Sequence, residues 1–347
     1  MLAAVYHGPN DLRVEQVAVP EIGEGEVLVR VLSASICGTD LRILHGNHRM
    51  YPAGTIRIPG HEVVGRIEQI SPAVTGYVRD QLVFVAPNTG CGHCQHCLAG
   101  NNNLCANFDA IGITSDGGFA EFVRISARSV QQGNLIPIDE TVDPAVAALT
   151  EPFACVVRGQ NALGERPGEV VLVMGAGPIG VMHAKLAKAR GAGRVIVSEP
   201  VAERLAQVAK LGADRAVNPT TEDLEAILMQ ESGGRGADVI IVAAPAHAAQ
   251  ESAIHLAAVG GRINFFGGLP KDRPTVTIDS NQVHYKELLV TGTTACSTAD
   301  CRQAAQIVNS GLVDLSPLVS KRFPLKEAAA AFAAAEDRKS LKVVLQP

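Results

Sequence analysis

Cys91, Cys94, Cys97 and Cys105 stand in the spacing C-x2-C-x2-C-x7-C, within the loop CGHCQHCLAGNNNLC. Four thiolates this close along the chain can close a tetrahedron around one zinc ion. With sulfur in every position the ion has no place for substrate. Its task would be structural, clipping a loop that has little core of its own. Disulfides, an iron–sulfur cluster, or ligation by His93 or His96 are the alternatives. A reducing compartment disfavours the first, and both histidines read as exposed loop residues. A second set of donors is scattered: Cys37 in ICGTD, His61 and Glu62 in GHE, and Glu151 just before Pro152. Thiolate, imidazole and carboxylate from separate loops also suit zinc. Taken alone, Cys37 and His61 fit a buried thiol and a satisfied core histidine better. Glu151 lies in the apolar stretch PAVAALTEPFACVV, where an acid is costly to bury unless paired or metal-bound. A helix-end carboxylate facing water is the other reading.

The third chemical motif is a glycine turn at residues 170–180, VVLVMGAGPIG. An aliphatic run of this kind predicts a strand buried on both faces. Gly175, Gly177 and Gly180 then give G-x-G-x-x-G, followed by a helical pattern ending near Gly191. Gly175 permits the tight turn, Gly177 lets backbone approach a pyrophosphate, and Gly180 lets helix and strand pack closely. A second strand, RVIVS, ends at Glu199, placed to accept hydrogen bonds from a ribose 2′-hydroxyl. A carboxylate there repels a 2′-phosphate, which favours NAD over NADP, although Arg204 could accommodate that phosphate.

The elements that position these residues fall into two kinds. Residues 1–35 alternate as an antiparallel β region, with strands at 12–19 and 26–32. A further strand is expected at 119–123, and a helix over 144–157. After residue 170, helical patterns alternate with apolar strands at 194–198, 237–242, 262–266 and 288–291. That order predicts a parallel sheet with helices on both faces. Two helical segments and a strand at 341–345 close the chain.

Composition sets the outer bounds. A chain of 347 residues has room for about two domains. The net charge of −5, without a long basic run, excludes nucleic acid as the expected partner. The N-terminus lacks a signal-peptide pattern, and no apolar run is long enough to span a membrane. The cytoplasm is the expected compartment, so the eight cysteines are metal ligands or core residues rather than disulfides.

Together, CGTDL at 37–41, GHEVVG at 60–65, the four-cysteine lobe, Glu151-Pro152, GAGPIG and RFPL at 322–325 resemble the zinc-dependent medium-chain dehydrogenase/reductase family. The resemblance covers nearly the whole chain and is nearest to the polyol (sorbitol-like) and threonine dehydrogenase branch. It implies an α/β chain: a GroES-like β domain over residues 1–153, with a structural zinc lobe at about 88–108. A Rossmann doubly wound parallel sheet would be inserted over 154–293, and segments 294–347 would return to the first domain. The active site would lie in the cleft between them. By this resemblance Cys37 and His61 ligate a catalytic zinc, with Glu62 a ligand in some states. Glu151 would ligate directly or through water, Asp40 would orient His61, and Thr39 would pass the alcohol proton outward. Gly175, Gly177, Pro178, Ile179, Gly180, Glu199, Arg204 and Thr293 are the implied NAD contacts.

Three departures bear on substrate. Arg42 stands where many alcohol dehydrogenases carry the histidine that completes the proton relay, and arginine does not give up its proton. The exit would then use water, the cofactor ribose or Glu62. Ile43 and Thr294-Ala295 stand where sorbitol-type enzymes have a tyrosine and an arginine, which points away from sorbitol itself. The loop 42–57, with His45, His48, Arg49 and Tyr51, either lines the cleft toward a sugar phosphate or is simply solvated. The expected function is NAD- and zinc-dependent oxidation of a secondary alcohol on a polyol or sugar-derived substrate. A threonine-type amino alcohol, a sugar phosphate, and a non-catalytic nucleotide-binding redox sensor are the alternatives. A homodimer or homotetramer is expected, with the strand at 288–291 pairing across subunits.

Overall fold

A computed structural model describes residues 1–337 and 339–347. The chain divides into two units, Met1–Ala154 with Ala295–Pro347, and Cys155–Thr294. Each division lies one residue beyond the boundary expected from sequence.

In the first unit, Val27–Ser35 is the central strand, buried along most of its length because both faces of VLVRVLSAS meet apolar neighbours. Glu62–Ile70 pairs along it antiparallel. Its other side is shared: Phe122–Ile125 pairs with its first half and Lys342–Gln346 with its last residues. Val319–Pro324, Leu82–Val85 and Leu135–Pro137 complete the seven-stranded sheet. Leu2–Gly8 and Asp11–Gln16 form a separate antiparallel pair. The second of these is shorter than the strand expected at 12–19: its ladder runs to Leu2↔Gln16, and only the Met1–Val17 backbone bonds lie beyond it. The strand expected at 119–123 begins only at Phe122. Phe119 and Ala120 instead fill the core, with Ala120 making a single bridge to Ala3. The helix expected over 144–157 is two helices, Pro144–Ala147 and Thr150–Asn161.

The second unit is a six-stranded sheet, parallel throughout. Its spatial order is Arg215–Val217, Arg194–Ser198, Val170–Met174, Ala237–Val242, Ala257–Phe265 and Leu289–Gly292. Strand order reverses direction beside Val170–Met174, which is where a doubly wound sheet binds ligands beyond its strand ends. Every residue of Val170–Met174 is buried, as expected for a strand covered by helices on both faces.

Glu165, between helix Thr150–Asn161 and that strand, has both carboxyl oxygens buried without a hydrogen-bond partner. Burial pushes its pKa up to about 7 against the opposing charge of Arg190, with Glu169 adding to the rise. The folded carboxyl therefore keeps a proton that the unfolded chain releases above its ordinary value of 4.5. Its contribution is largest below that value and is lost as pH rises toward 7. Glu165→Gln is expected to gain stability over wild type by about 2 kcal/mol between pH 5 and pH 8. Urea unfolding at the two pH values checks this, and a difference that does not change with pH would contradict it.

Candidate functional site

Strand register turns the scattered donors into neighbours. The central strand Val27–Ser35 delivers Ile36 and Cys37 at its end. Glu62 opens the adjacent strand directly opposite Ser35, which sets His61 beside Cys37. One ligand atom each from Cys37, His61 and Glu62 lie within 4.8 Å of one another. Asp40, in the first turn of helix Gly38–Leu44, is fully buried beneath them. Its Oδ2 accepts from the Cys37 backbone N–H at 2.8 Å, and its Oδ1 faces His61 Nδ1 at 3.5 Å. That leaves the other ring nitrogen of His61 for the cluster, the usual arrangement of a ligating histidine. Burial opposes charge on the ring, yet Asp40 and Cys37 raise the His61 pKa well above its usual value. Imidazole and thiol set against each other in this way fit a divalent cation better than they fit protons.

Glu151 is buried in the first turn of helix Thr150–Asn161, so it is not a helix-end carboxylate facing water. Burial raises its pKa, while His61 and Lys342 pull it down. The Cys296 thiol donates to its Oε1 at 3.6 Å. The structure thus keeps Glu151 within the electrostatic reach of His61 but sets its carboxylate in a separate group with Cys296 rather than in that of Cys37, His61 and Glu62. Glu62 itself is fully buried and bonded through both oxygens to Lys342. Sequence reasoning missed Lys342. The available signal was a lysine opening the otherwise apolar run KVVLQ.

Thr39 Oγ1 accepts from Arg42 Nη2 at 2.9 Å. In the loop that follows, His48 is held below its usual pKa by burial first, then by Arg42 and His61. Tyr51 belongs to the core of the first unit. It is buried, donates its hydroxyl to Gly112 O at 2.8 Å, and packs edge-on to Tyr6. His45 is occupied by Asn10 and Glu336.

In the lobe, the four sulfurs of Cys91, Cys94, Cys97 and Cys105 lie within 4.8 Å of one another, with Cys91 and Cys97 3.9 Å apart. Zinc–sulfur bonds of ~2.3 Å give tetrahedral edges of about 3.8 Å, so the set fits one zinc. His93 and His96 are exposed and outside the group. Backbone hydrogen bonds, first from His93, lower the Cys91 thiol to about 6, while burial and neighbouring sulfurs push Cys97 up to about 11. Four thiolates this close need a cation to ionise together.

The second unit carries the glycine turn. Gly175 adopts φ +109°, closed to most side chains, and a Cβ on Gly180 would lie 1.8 Å from the Gly175 carbonyl oxygen. A Cβ on Gly177 would meet nothing within 4 Å, so the chain leaves room there for a ligand. Helix Pro178–Ala189 starts at Gly177 without a side-chain cap, leaving its first N–H groups for an anion. Pro178 and Ile179 form its first turn. Glu199 is buried and accepts from Ala176 N–H at 2.7 Å and Val201 N–H at 2.9 Å. A carboxylate has acceptor capacity beyond two bonds, so a ribose hydroxyl remains compatible. Arg204 lies on helix Ala202–Val208. Thr293 Oγ1 accepts from buried Asn264 at 3.1 Å.

Comparison with known proteins bears on the family and the fold. Residues 23–137 match the alcohol dehydrogenase GroES-like domain, and residues 178–310 match the zinc-binding dehydrogenase domain. An L-threonine 3-dehydrogenase of Bacillus velezensis is 34% identical over 96% of this chain and 95% of its own length. Its namesake from Pyrococcus horikoshii is 34% identical over 89% of this chain and 87% of its own. Among solved structures, a short chain alcohol dehydrogenase from Escherichia coli CFT073 complexed with NADH superposes with TM-score 0.90. It is 28% identical and covers 100% of this chain and 99% of its own. An alcohol dehydrogenase from Thermus sp. ATN1 gives TM-score 0.91 at 26% identity, with coverage of 100% and 99%.

Proposed function

The chain belongs to the zinc-dependent medium-chain dehydrogenase/reductase family, and on that premise we propose that it oxidises the secondary alcohol of an L-threonine-like amino alcohol with NAD. The observation that carries the substrate class is the one-third identity to L-threonine 3-dehydrogenases along nearly the whole chain. The polyol reading has less behind it, since Ile43 and Thr294-Ala295 stand where sorbitol-type enzymes are expected to differ.

In this reading Cys37 and His61 hold the catalytic zinc, with Glu151 as the carboxylate of the set and Glu62 a ligand only in some states. Cys91, Cys94, Cys97 and Cys105 hold the structural one. Zinc, when bound, supplies Lewis acidity toward the substrate hydroxyl, and NAD supplies the hydride acceptor. Asp40 fixes which ring nitrogen of His61 faces the metal. Thr39 takes the alcohol proton. Its oxygen already accepts from Arg42, so its own O–H is left to donate outward while a second lone pair receives the substrate proton. Gly175, Gly177, Pro178, Ile179 and Gly180 cradle the pyrophosphate, and Glu199 takes the ribose hydroxyls, favouring NAD. Arg204 and Thr293 flank that site. Cysteines that serve as metal ligands rather than as disulfides suit the cytoplasm.

NADH formation measured over L-threonine, polyols and sugar phosphates tests the substrate. The highest kcat/KM is expected for the amino alcohol. A polyol or sugar phosphate preferred by tenfold or more would overturn that choice. Absence of turnover on every member of the panel, with NAD still bound, would favour the redox-sensor reading.

We also propose a homo-oligomer built on Leu289–Gly292. It is the edge strand of its sheet, and Leu289, Val259 and Tyr285 are exposed beside it. An unpaired edge with large apolar side chains is a template for a second copy. Leu289→Glu should sediment as a monomer; a monomeric wild type would contradict the proposal.

A further inference from the structure

Lys342 is a buried lysine, 4% exposed, at the start of the last strand. Its Nζ donates to Glu62 Oε2 at 2.6 Å, Glu62 Oε1 at 2.8 Å and the Ile36 carbonyl at 3.0 Å. All three protons of the ammonium are thereby used, so none is left for substrate. Its partners are also telling. Ile36 immediately precedes Cys37, and Glu62 immediately follows His61. One cation thus ties together the backbone beside one candidate ligand and the side chain beside the other. Register explains the meeting: Ser35 is opposite both Glu62 and Val344, so the ends of three strands converge there. Burying a lysine is costly without such pairing.

With Glu151 as the third protein ligand, Glu62, already close to Cys37 and His61, would fill the fourth position and close the set. A site with every position filled by protein is structural, whereas a catalytic zinc keeps one open. We propose that Lys342 is a positioning residue: it holds the Glu62 carboxylate off the metal and so keeps a coordination position open for the substrate hydroxyl. The inference rests on the reading of Cys37 and His61 as metal ligands.

Cobalt in place of zinc makes the site visible, and imidazole, a neutral probe, reports the open position. Wild type and Lys342→Arg are expected to bind imidazole on cobalt alike. Lys342→Met should bind it at least tenfold more weakly, with altered cobalt bands, because Glu62 occupies the position. Its kcat/KM should fall roughly 10- to 100-fold, as for other groups that orient metal ligands. Lys342→Met with Glu62→Leu should recover wild-type imidazole affinity. That double variant replaces a buried ion pair by apolar groups, a change proteins generally tolerate, so it carries the test if the single variant fails to fold. Equal affinity in Lys342→Met and wild type would overturn the proposal, as would equal weakness in the double variant. Absence of a thiolate–cobalt absorption band in wild type would instead remove the metal reading beneath it.

Discussion

Cys37→Ser is expected to lower kcat/KM by at least ~10³-fold, about 4 kcal/mol of transition-state stabilisation. Serine is a poor zinc ligand at neutral pH, and Cys37 supplies the only thiolate in the cluster with His61 and Glu62. Bound zinc should fall from two ions per chain to one. The glycine turn belongs to the other unit, Cys155–Thr294, so NAD affinity should stay within about twofold by calorimetry. The combination is diagnostic. Loss of NAD binding together with activity would mean misfolding, and full activity with one zinc would place the chemistry elsewhere. Asp40 makes this site sensitive to small changes, since one carboxylate serves both Cys37 N–H and His61 Nδ1.

The lobe should respond in the opposite way. Cys97→Ser is expected to release the structural zinc, lower Tm by on the order of 10 °C, and leave the catalytic ion in place. The reason is its lack of core. Leu98 and Leu104 are exposed, and among its cysteines only Cys105 is buried. The lobe is anchored by a few polar contacts, such as Asn102 to the Asn88 carbonyl at 2.7 Å and Gln132 to Gly90. These cannot offset the entropy of ordering a loop of Gly and Asn. Calorimetry and limited proteolysis across residues 88–108 measure the effect. An unchanged Tm after metal loss would show that the loop holds its own shape.

What could be read from sequence was local. The four-cysteine spacing and the glycine turn each lie within one short segment, so order along the chain nearly dictates proximity. The parallel strands were legible because burial on both faces leaves uninterrupted aliphatics, as in Val170–Met174. What escaped depends on register between distant segments. Lys342 meets Glu62 only because Lys342–Gln346 and Glu62–Ile70 share the strand between them. Cys296 reaches Glu151 across 145 positions, and nothing in either stretch announces it. Tyr51 lies in a loop whose composition fits either a cleft or a solvated surface, but its hydroxyl finds Gly112 and its ring finds Tyr6, so it serves the core. The strand expected at 12–19 overran because alternation continues past Val17, whose backbone bonds to Met1 are the last of the pairing. Substrate choice was the least legible: the departures at Arg42, Ile43 and Thr294-Ala295 exclude more than they select.

Anomalous diffraction at the zinc edge, from crystals grown with NAD, puts the whole account to one trial. Two peaks are predicted in each chain: one between Cys37 Sγ and the His61 ring, the other at the centre of the four lobe sulfurs. A single peak in the lobe, with no scatterer between residues 37 and 61, would contradict the dehydrogenase mechanism proposed for this chain.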